Sequence, residues 1–125
     1  MKQVISSQKA PAAVGPYSQA IMAGGTLYVS GQLPIDANTG DFASDDVEGQ
    51  AHQVFKNLGF ILSEAGYSFK DVVKTTVYLK DMADFGKMNA IYGEYFSEPF
   101  PARVAVQVAA LPKGALIEAD VIAVK

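Results

Sequence analysis

The last quarter of this chain holds two strand-like segments that are apolar on both sides. Residues 103–109 read RVAVQVA and residues 117–124 read IEADVIAV, so small or branched apolar side chains fill positions in both alternating registers. Because successive side chains of a strand point to opposite faces, such segments need cover on both faces of a sheet. Any fold for this chain must supply that cover.

Upstream, two short apolar runs flank Gly24-Gly25, at Ala20–Ala23 and at residues 26–30. Two glycines between such runs are typical of a tight hairpin, because its turn needs positive φ. Residues 32–44 are rich in turn-forming and small polar residues, and we interpret them as a loop.

A first helix is predicted after this loop. Asp45 is a suitable N-cap, and Glu48 three residues later completes a capping box. Apolar residues recur at helical spacing over residues 47–65, and Gly66 is the expected stop. His52 lies off that apolar stripe, which favours a histidine at the helix surface or rim over a catalytic one.

A strand and a second helix follow. Val72–Leu79 is rich in β-branched residues, which predicts a strand. Asp81 can cap a helix whose aromatic and apolar residues over positions 85–96 share one face. Pro99 and Pro101 prevent this helix from continuing.

This order predicts a single domain over residues 1–125 with an α+β fold, in which two helices pack on one face of the sheet. The other apolar face of the two last strands then has no cover within the chain. Self-association is the simplest way to cover it, although the pattern leaves the symmetry open.

Composition excludes several classes of function. The net charge is −3 and the lysines form no run, which argues against a nucleic-acid partner. The chain has no cysteine and one histidine, so a zinc site would need carboxylates for its remaining ligands, and we expect no metal site. It also lacks a phosphate-binding glycine loop. Without an apolar segment of signal-peptide or membrane-spanning length, we expect a cytoplasmic location and no membrane partner.

Arg103 is the only arginine, and it stands among valines and alanines. Its planar guanidinium can grip a carboxylate with two parallel hydrogen bonds, which suggests a specific anion. Glu118 begins the strand expected to be the hairpin neighbour, so the two could lie close at one end of the sheet. They could then form a carboxylate clamp beside a proton-handling acid, or simply a salt bridge with no ligand.

Other candidate site residues carry weaker signals. Tyr17 follows Gly15-Pro16 and could line a pocket or pack on the core. Gly31, after Ser30, would let a ligand approach the backbone, though a bulge explains it as well. Asn89 lies near the apolar face of the second helix, where an amide more often satisfies backbone groups than binds a ligand.

Segments spread over the whole chain carry a resemblance to a known family. They are residues 10–20 (APAAVGPYSQA), 29–34 (VSGQLP), 71–78 (DVVKTTVY), 89–92 (NAIY), 100–104 (FPARV), 111–113 (LPK) and 117–124 (IEADVIAV). In this order they resemble the RidA (YjgF-type) reactive imine deaminases.

The resemblance implies a chorismate-mutase-like fold with a mixed β-sheet, and a homotrimer whose sheets form a central barrel. It also implies clefts between subunits that bind a small carboxylate without a cofactor. The implied reaction is hydrolysis of 2-iminopropanoate and 2-iminobutanoate to pyruvate or 2-oxobutanoate and ammonia.

The resemblance also assigns roles to residues. The implied catalytic residues are Arg103, Glu118 and Tyr17. The implied substrate-binding residues are Ser30, Gly31, Asn89 and Ala105. Arg103 would clamp the substrate carboxylate, and Glu118 would orient or activate water at the imine carbon. Ala105 stands where many members have cysteine, which removes any thiol role but keeps main-chain contacts.

Three alternatives remain open at this stage. The first is a trimer that binds 2-oxo acids in a regulatory role without turnover. The second is an RNA-directed nuclease or translation inhibitor, a label that some relatives carry. The third is a structural trimer with an internal Arg103–Glu118 salt bridge.

Overall fold

The structure, a computed structural model, describes residues 1–125. Its strands are β1 (Gln3–Ile5), β2 (Ala20–Ala23), β3 (Thr26–Gln32), β4 (Val72–Leu79), β5 (Ala102–Gln107) and β6 (Ile117–Val124). Its helices are α1 (Val47–Glu64) and α2 (Phe85–Tyr95), with short 3-10 turns at Phe69–Asp71, Met82–Asp84 and Pro112–Gly114. The predicted α+β order of elements is confirmed, and β1 is a short addition that its polar flanks concealed.

The six strands form one mixed sheet in the order β1-β2-β3-β6-β4-β5. All neighbours are antiparallel except β4 and β5, which are parallel. The expectation that β5 and β6 form a hairpin is therefore wrong. The chain leaves β5 and crosses the end of β4, where Val108 N donates to Leu79 O and Lys80 N donates to Leu116 O. The last strand then enters between β3 and β4, so it is hydrogen-bonded along both edges.

Both helices pack on the same face of the sheet. The predicted apolar stripe of α1 is buried except for its last member, the half-buried Ala65. The stripe packs against alternate residues of the central strands, including Val77, Ala119 and Val121. Burying these side chains on one face drives the helix–sheet packing.

The N-terminus of α1 lies one residue later than predicted, and its C-terminus lies where it was predicted. Asp46, rather than Asp45, is the N-cap, because its extended backbone lets the carboxylate accept a hydrogen bond of 2.7 Å from Gly49 N. Gly66 ends the helix with φ of +79°, as predicted. Asp81 caps the 3-10 turn Met82–Asp84, which leads into α2, by accepting from Ala83 N.

The opposite face of the sheet has no cover within the chain. Large apolar side chains on it are exposed, among them Tyr28, Val104, Val106 and Val124. This is the two-sided pattern of the last strands, seen in three dimensions. No helix of the chain has the length and apolar character needed to cross a membrane.

Candidate functional site

Arg103 lies on β5, on the face of the sheet that the helices cover. One guanidinium nitrogen, Nη1, donates to Asn89 Oδ1 at 2.7 Å. The guanidinium carbon lies 4.6 Å from the centroid of the Tyr92 ring and 5.4 Å from that of Phe85. These α2 side chains hold the cation by one hydrogen bond and by its contacts with two aromatic faces.

The tyrosine beneath Arg103 is itself fixed. Its hydroxyl lies 3.0 Å from Thr75 Oγ1, and Thr75 is the β4 partner of Arg103 in the sheet register. Burial raises the pKa of Tyr92, so its ring stays neutral and its face stays available to the cation. Strand pairing and helix packing thus position the guanidinium from two directions.

Beside Arg103 is an open cleft with a volume of about 460 Å³. It is lined by Asn89, Tyr92, Gly93, Phe100, Pro101 and Arg103. Asn89 takes a hydrogen bond from one of five guanidinium N–H groups. The half-buried cation can therefore present further donors to an anion in the cleft. We call these six residues the Arg103 half-site.

Glu118 lies on the opposite, uncovered face of the sheet. In the register of β6 with β4 it pairs with Tyr78, and Tyr78 pairs with Val106 on β5. Glu118 is half-buried, and burial raises its pKa, with the charge of Asp120 adding to that effect. A carboxyl in this setting holds its proton to a higher pH than an exposed one.

Gly31 makes room for the Glu118 carboxyl group. Ser30 and Gly31 form a β-bulge, because both fall between the pairs Val29–Val121 and Gln32–Ala119. A Cβ at Gly31 would collide with Glu118 Oε2 and would lie 3.0 Å from its Cδ. The missing side chain is therefore required by the position of the acid.

The Tyr17 segment is tied to the same bulge. Ser30 Oγ donates to Ser18 O at 2.6 Å, and Ser30 N donates to Gln19 O at 2.9 Å. Tyr17 precedes this attachment and is 51% exposed. We call Tyr17, Ser30, Gly31 and Glu118 the Glu118 half-site.

The two half-sites do not meet within one chain. Arg103 pairs with Thr75 of β4, whereas Glu118 pairs with Tyr78. Tyr78 lies three positions after Thr75, and an odd offset along a strand places side chains on opposite faces. The expected proximity of Arg103 and Glu118 is therefore wrong for a single chain, and the internal salt bridge is excluded there.

Two further predicted site residues belong with Arg103. Asn89 contacts the guanidinium, as described. Ala105 lies two residues after Arg103 on the same side of β5, where it pairs with Val77 and packs against the core. Sequence reasoning missed Tyr92 and Phe85 as supports of Arg103. Their spacing from Asn89 on one helix, at three and four residues, was the available signal.

The single histidine lies away from both half-sites. His52 Nδ1 lies 3.0 Å from Tyr95 Oη, at the packed contact between α1 and α2. No three His, Asp or Glu side chains come together in a way that could hold a metal ion.

Comparisons with known proteins show what the whole chain is similar to. The family model described as "Endoribonuclease L-PSP" matches residues 7–125. A RutC family protein of Pyrococcus horikoshii is 56% identical, over 100% of this chain and 99% of the relative. The human 2-iminobutanoate/2-iminopropanoate deaminase is 50% identical, over 100% of this chain and 91% of the relative. The crystal structure of E. coli TdcF with bound serine superposes with a TM-score of 0.93 at 39% identity, covering 98% of both chains.

Proposed function

The chain belongs to the endoribonuclease L-PSP (YjgF/RidA) family, and from this premise we propose that it hydrolyses small 2-imino acids to 2-oxo acids and ammonia. The substrates are 2-iminobutanoate and 2-iminopropanoate, the compounds in the name of the human relative. The observation that carries the proposal is Arg103, a guanidinium held by an amide and two rings at the edge of an open cleft. Such a cation suits a small carboxylate.

A complete site requires a second chain in this proposal. Arg103 and Glu118 lie on opposite faces of one sheet, so a ligand that touches both must lie between two subunits. β5 is an edge strand, which leaves its outer side available to a neighbour. We therefore propose a homotrimer with three clefts, each formed by the Arg103 half-site of one chain and the Glu118 half-site of the next.

In the proposed mechanism, Arg103 binds the substrate carboxylate with two parallel hydrogen bonds. Glu118 accepts a proton from a water molecule as the water oxygen bonds to C2 of the imine. With the imine bound in its protonated form, Glu118 then returns this proton to the amine nitrogen of the water adduct. As the C2–N bond breaks and C2=O forms, Glu118 accepts the remaining hydroxyl proton, which the released ammonia carries away as ammonium. Positioning removes most of the entropic barrier, and general base assistance typically adds roughly a hundred- to ten-thousand-fold.

The direct test generates the imine in situ with a pyridoxal-phosphate-dependent dehydratase and measures 2-oxo-acid release with and without this protein. Arg103→Lys should lose most of the acceleration, because a point charge cannot reproduce the planar fork. Lys56→Arg, at an exposed position on α1, is the matched control and should keep it. Wild-type turnover in Arg103→Lys would count against the assignment.

A subunit-mixing experiment tests the intersubunit site. Arg103→Ala chains and Glu118→Gln chains should each be inactive alone. In a 1:1 co-assembled mixture, about one quarter of the clefts should combine an intact Arg103 with an intact Glu118. Recovery of activity near that fraction supports a site shared between chains. No recovery after verified subunit exchange contradicts it.

Two other functions are outcomes of the same measurements. Binding of pyruvate or 2-oxobutanoate without any acceleration would identify a regulatory 2-oxo-acid sensor. The family description names an endoribonuclease, but the net charge of −3 and the scattered lysines disfavour binding to a phosphate backbone. RNA cleavage by the highly purified protein that survives Arg103→Ala would favour that function over the deaminase.

A further inference from the structure

Glu118 has two polar neighbours on the uncovered face of the sheet that no step above uses. Asp120 lies two residues after Glu118 on the same face of β6. The rise per residue of a strand puts their backbones roughly 6.5 Å apart. Tyr78 lies directly across from Glu118 on β4, and its hydroxyl donates to Asp120 Oδ2 at 2.9 Å. Tyr78 therefore pairs with Glu118 in the sheet register, while its hydroxyl reaches the diagonal neighbour Asp120.

We propose that Tyr78 and Asp120 are positioning residues for Glu118: the Tyr78 hydroxyl fixes the Asp120 carboxylate, and the fixed negative charge of Asp120 governs how Glu118 takes up and releases a proton. The kinetic part of this inference rests on the proposed function. The part that concerns the protonation of Glu118 does not.

Within one chain, Asp120 is the formal charge best placed to act on Glu118, and the neighbouring chain's Arg103 would face Glu118 only across the proposed cleft. The titratable or charged groups on or beside this face are Tyr17 before β2, Tyr28 of β3, Lys74 and Tyr78 of β4, Lys80 after β4, and Asp120 of β6. Lys80 Nζ donates a hydrogen bond of 2.8 Å to Ala109 O. Lys74 pairs with Ile122, which lies two residues beyond Asp120 and four beyond Glu118 on β6. β5 presents valines here, and no helix covers this face.

The chemistry gives this arrangement a use. Glu118 must take a proton from water and then give it to the departing nitrogen. An ordinary carboxylate is a weak base near neutral pH, and a carboxyl group whose pKa lies closer to the working pH is the better compromise for accepting a proton and then donating it. The pKa of Glu118 is raised first by burial and then by Asp120, which agrees with the geometry.

The test is Asp120→Asn, which removes the charge and keeps the shape. The titration of the Glu118 carboxyl carbon is followed by ¹³C NMR in the full-length protein, with the resonance assigned by its loss in Glu118→Gln. We expect the titration midpoint of Glu118 to move to lower pH. The acid limb of the kcat/KM profile should move to lower pH by the same amount.

Two further variants complete the test. Tyr78→Phe should move the midpoint in the same direction by less, because Asp120 keeps its charge but loses its anchor. Asp41→Asn removes an equal charge from an exposed loop and should move nothing. A merely structural role would lower activity at every pH without moving the midpoint.

The outcomes separate this inference from the proposed function. An unmoved or raised Glu118 midpoint in Asp120→Asn overturns the inference, whether or not the protein is a deaminase. A lowered midpoint in a protein without deaminase activity supports the inference and contradicts the function. Should Asp120→Asn fail to fold, Tyr78→Phe carries the same NMR measurement.

Discussion

At the residue scale, the Glu118 half-site depends on the lack of a side chain at Gly31. Gly31 leaves the space that the Glu118 carboxyl group occupies. We expect Gly31→Ala to displace that carboxyl group and to lower kcat about as far as Glu118→Gln does. The effect should fall on rate more than on carboxylate binding, because Arg103 lies on the other half-site. Kinetics with the in situ imine and pyruvate binding by calorimetry measure the two quantities.

The matched control for this substitution is Gly86→Ala in α2. A Cβ at Gly86 meets nothing within 4 Å, and alanine favours a helix. This variant should keep full activity and gain slight stability. Normal kcat in Gly31→Ala would show that Glu118 does not need its observed position.

The raised pKa of Glu118 also predicts how stability depends on pH. The folded state holds this proton more tightly than the unfolded state does. The proton's contribution to folding stability is therefore fully present below the pKa of the unfolded chain, and it is lost as pH rises through the pKa of the folded protein. Glu118→Gln removes the titration. In denaturant unfolding, the free energy of unfolding of Glu118→Gln should therefore increase relative to that of the wild type as pH rises from acid to neutral. A constant difference across that range would contradict the shift.

At the element scale, buried amide side chains of α1 attach the loop over residues 32–44, and Asn57 makes two of these hydrogen bonds. Asn57 is fully buried, and its Nδ2 donates to Leu33 O at 3.0 Å and to Ile35 O at 2.9 Å. Asn57→Ala leaves both carbonyl groups without this partner and should cost about 1–3 kcal/mol in the free energy of unfolding. Chemical denaturation measures it. Lys56→Ala, at the exposed neighbour, should stay within about 0.5 kcal/mol of the wild type.

Local patterns predicted the elements well. The apolar stripe of α1 and the two-glycine turn depend on neighbours in the chain, and the structure confirms both predictions. The position of β6 depends on pairing with β3 and β4, far away in sequence, so adjacency in the chain wrongly suggested a β5–β6 hairpin. The same non-local pairing explains why Arg103 and Glu118 could be chosen by residue type, while their separation onto two faces could not be foreseen.

At the scale of the whole molecule, the uncovered sheet face is the surface that we propose is buried in the trimer. Val106 is 38% exposed there and lies across from Tyr78. Val106→Asp places a charge in that face and should dissociate the proposed trimer, with loss of most of the proposed deaminase activity. Sedimentation velocity measures the first effect and the coupled imine assay the second.

Lys56→Asp, which puts the same charge on the outer side of α1, is the control for Val106→Asp. It should leave both the sedimentation coefficient and the rate unchanged. A Val106→Asp protein that sediments as a monomer but turns over normally would contradict the shared cleft.

The placement of Arg103 and Glu118 on two faces has a consequence for gene dosage. In the proposed mechanism, a lone polypeptide carries both half-sites but never in one cleft, so the deaminase rate in a cell should rise more steeply than the amount of protein while subunits are scarce. Two alleles, one damaged in each half, should also rescue each other in a cell that makes both.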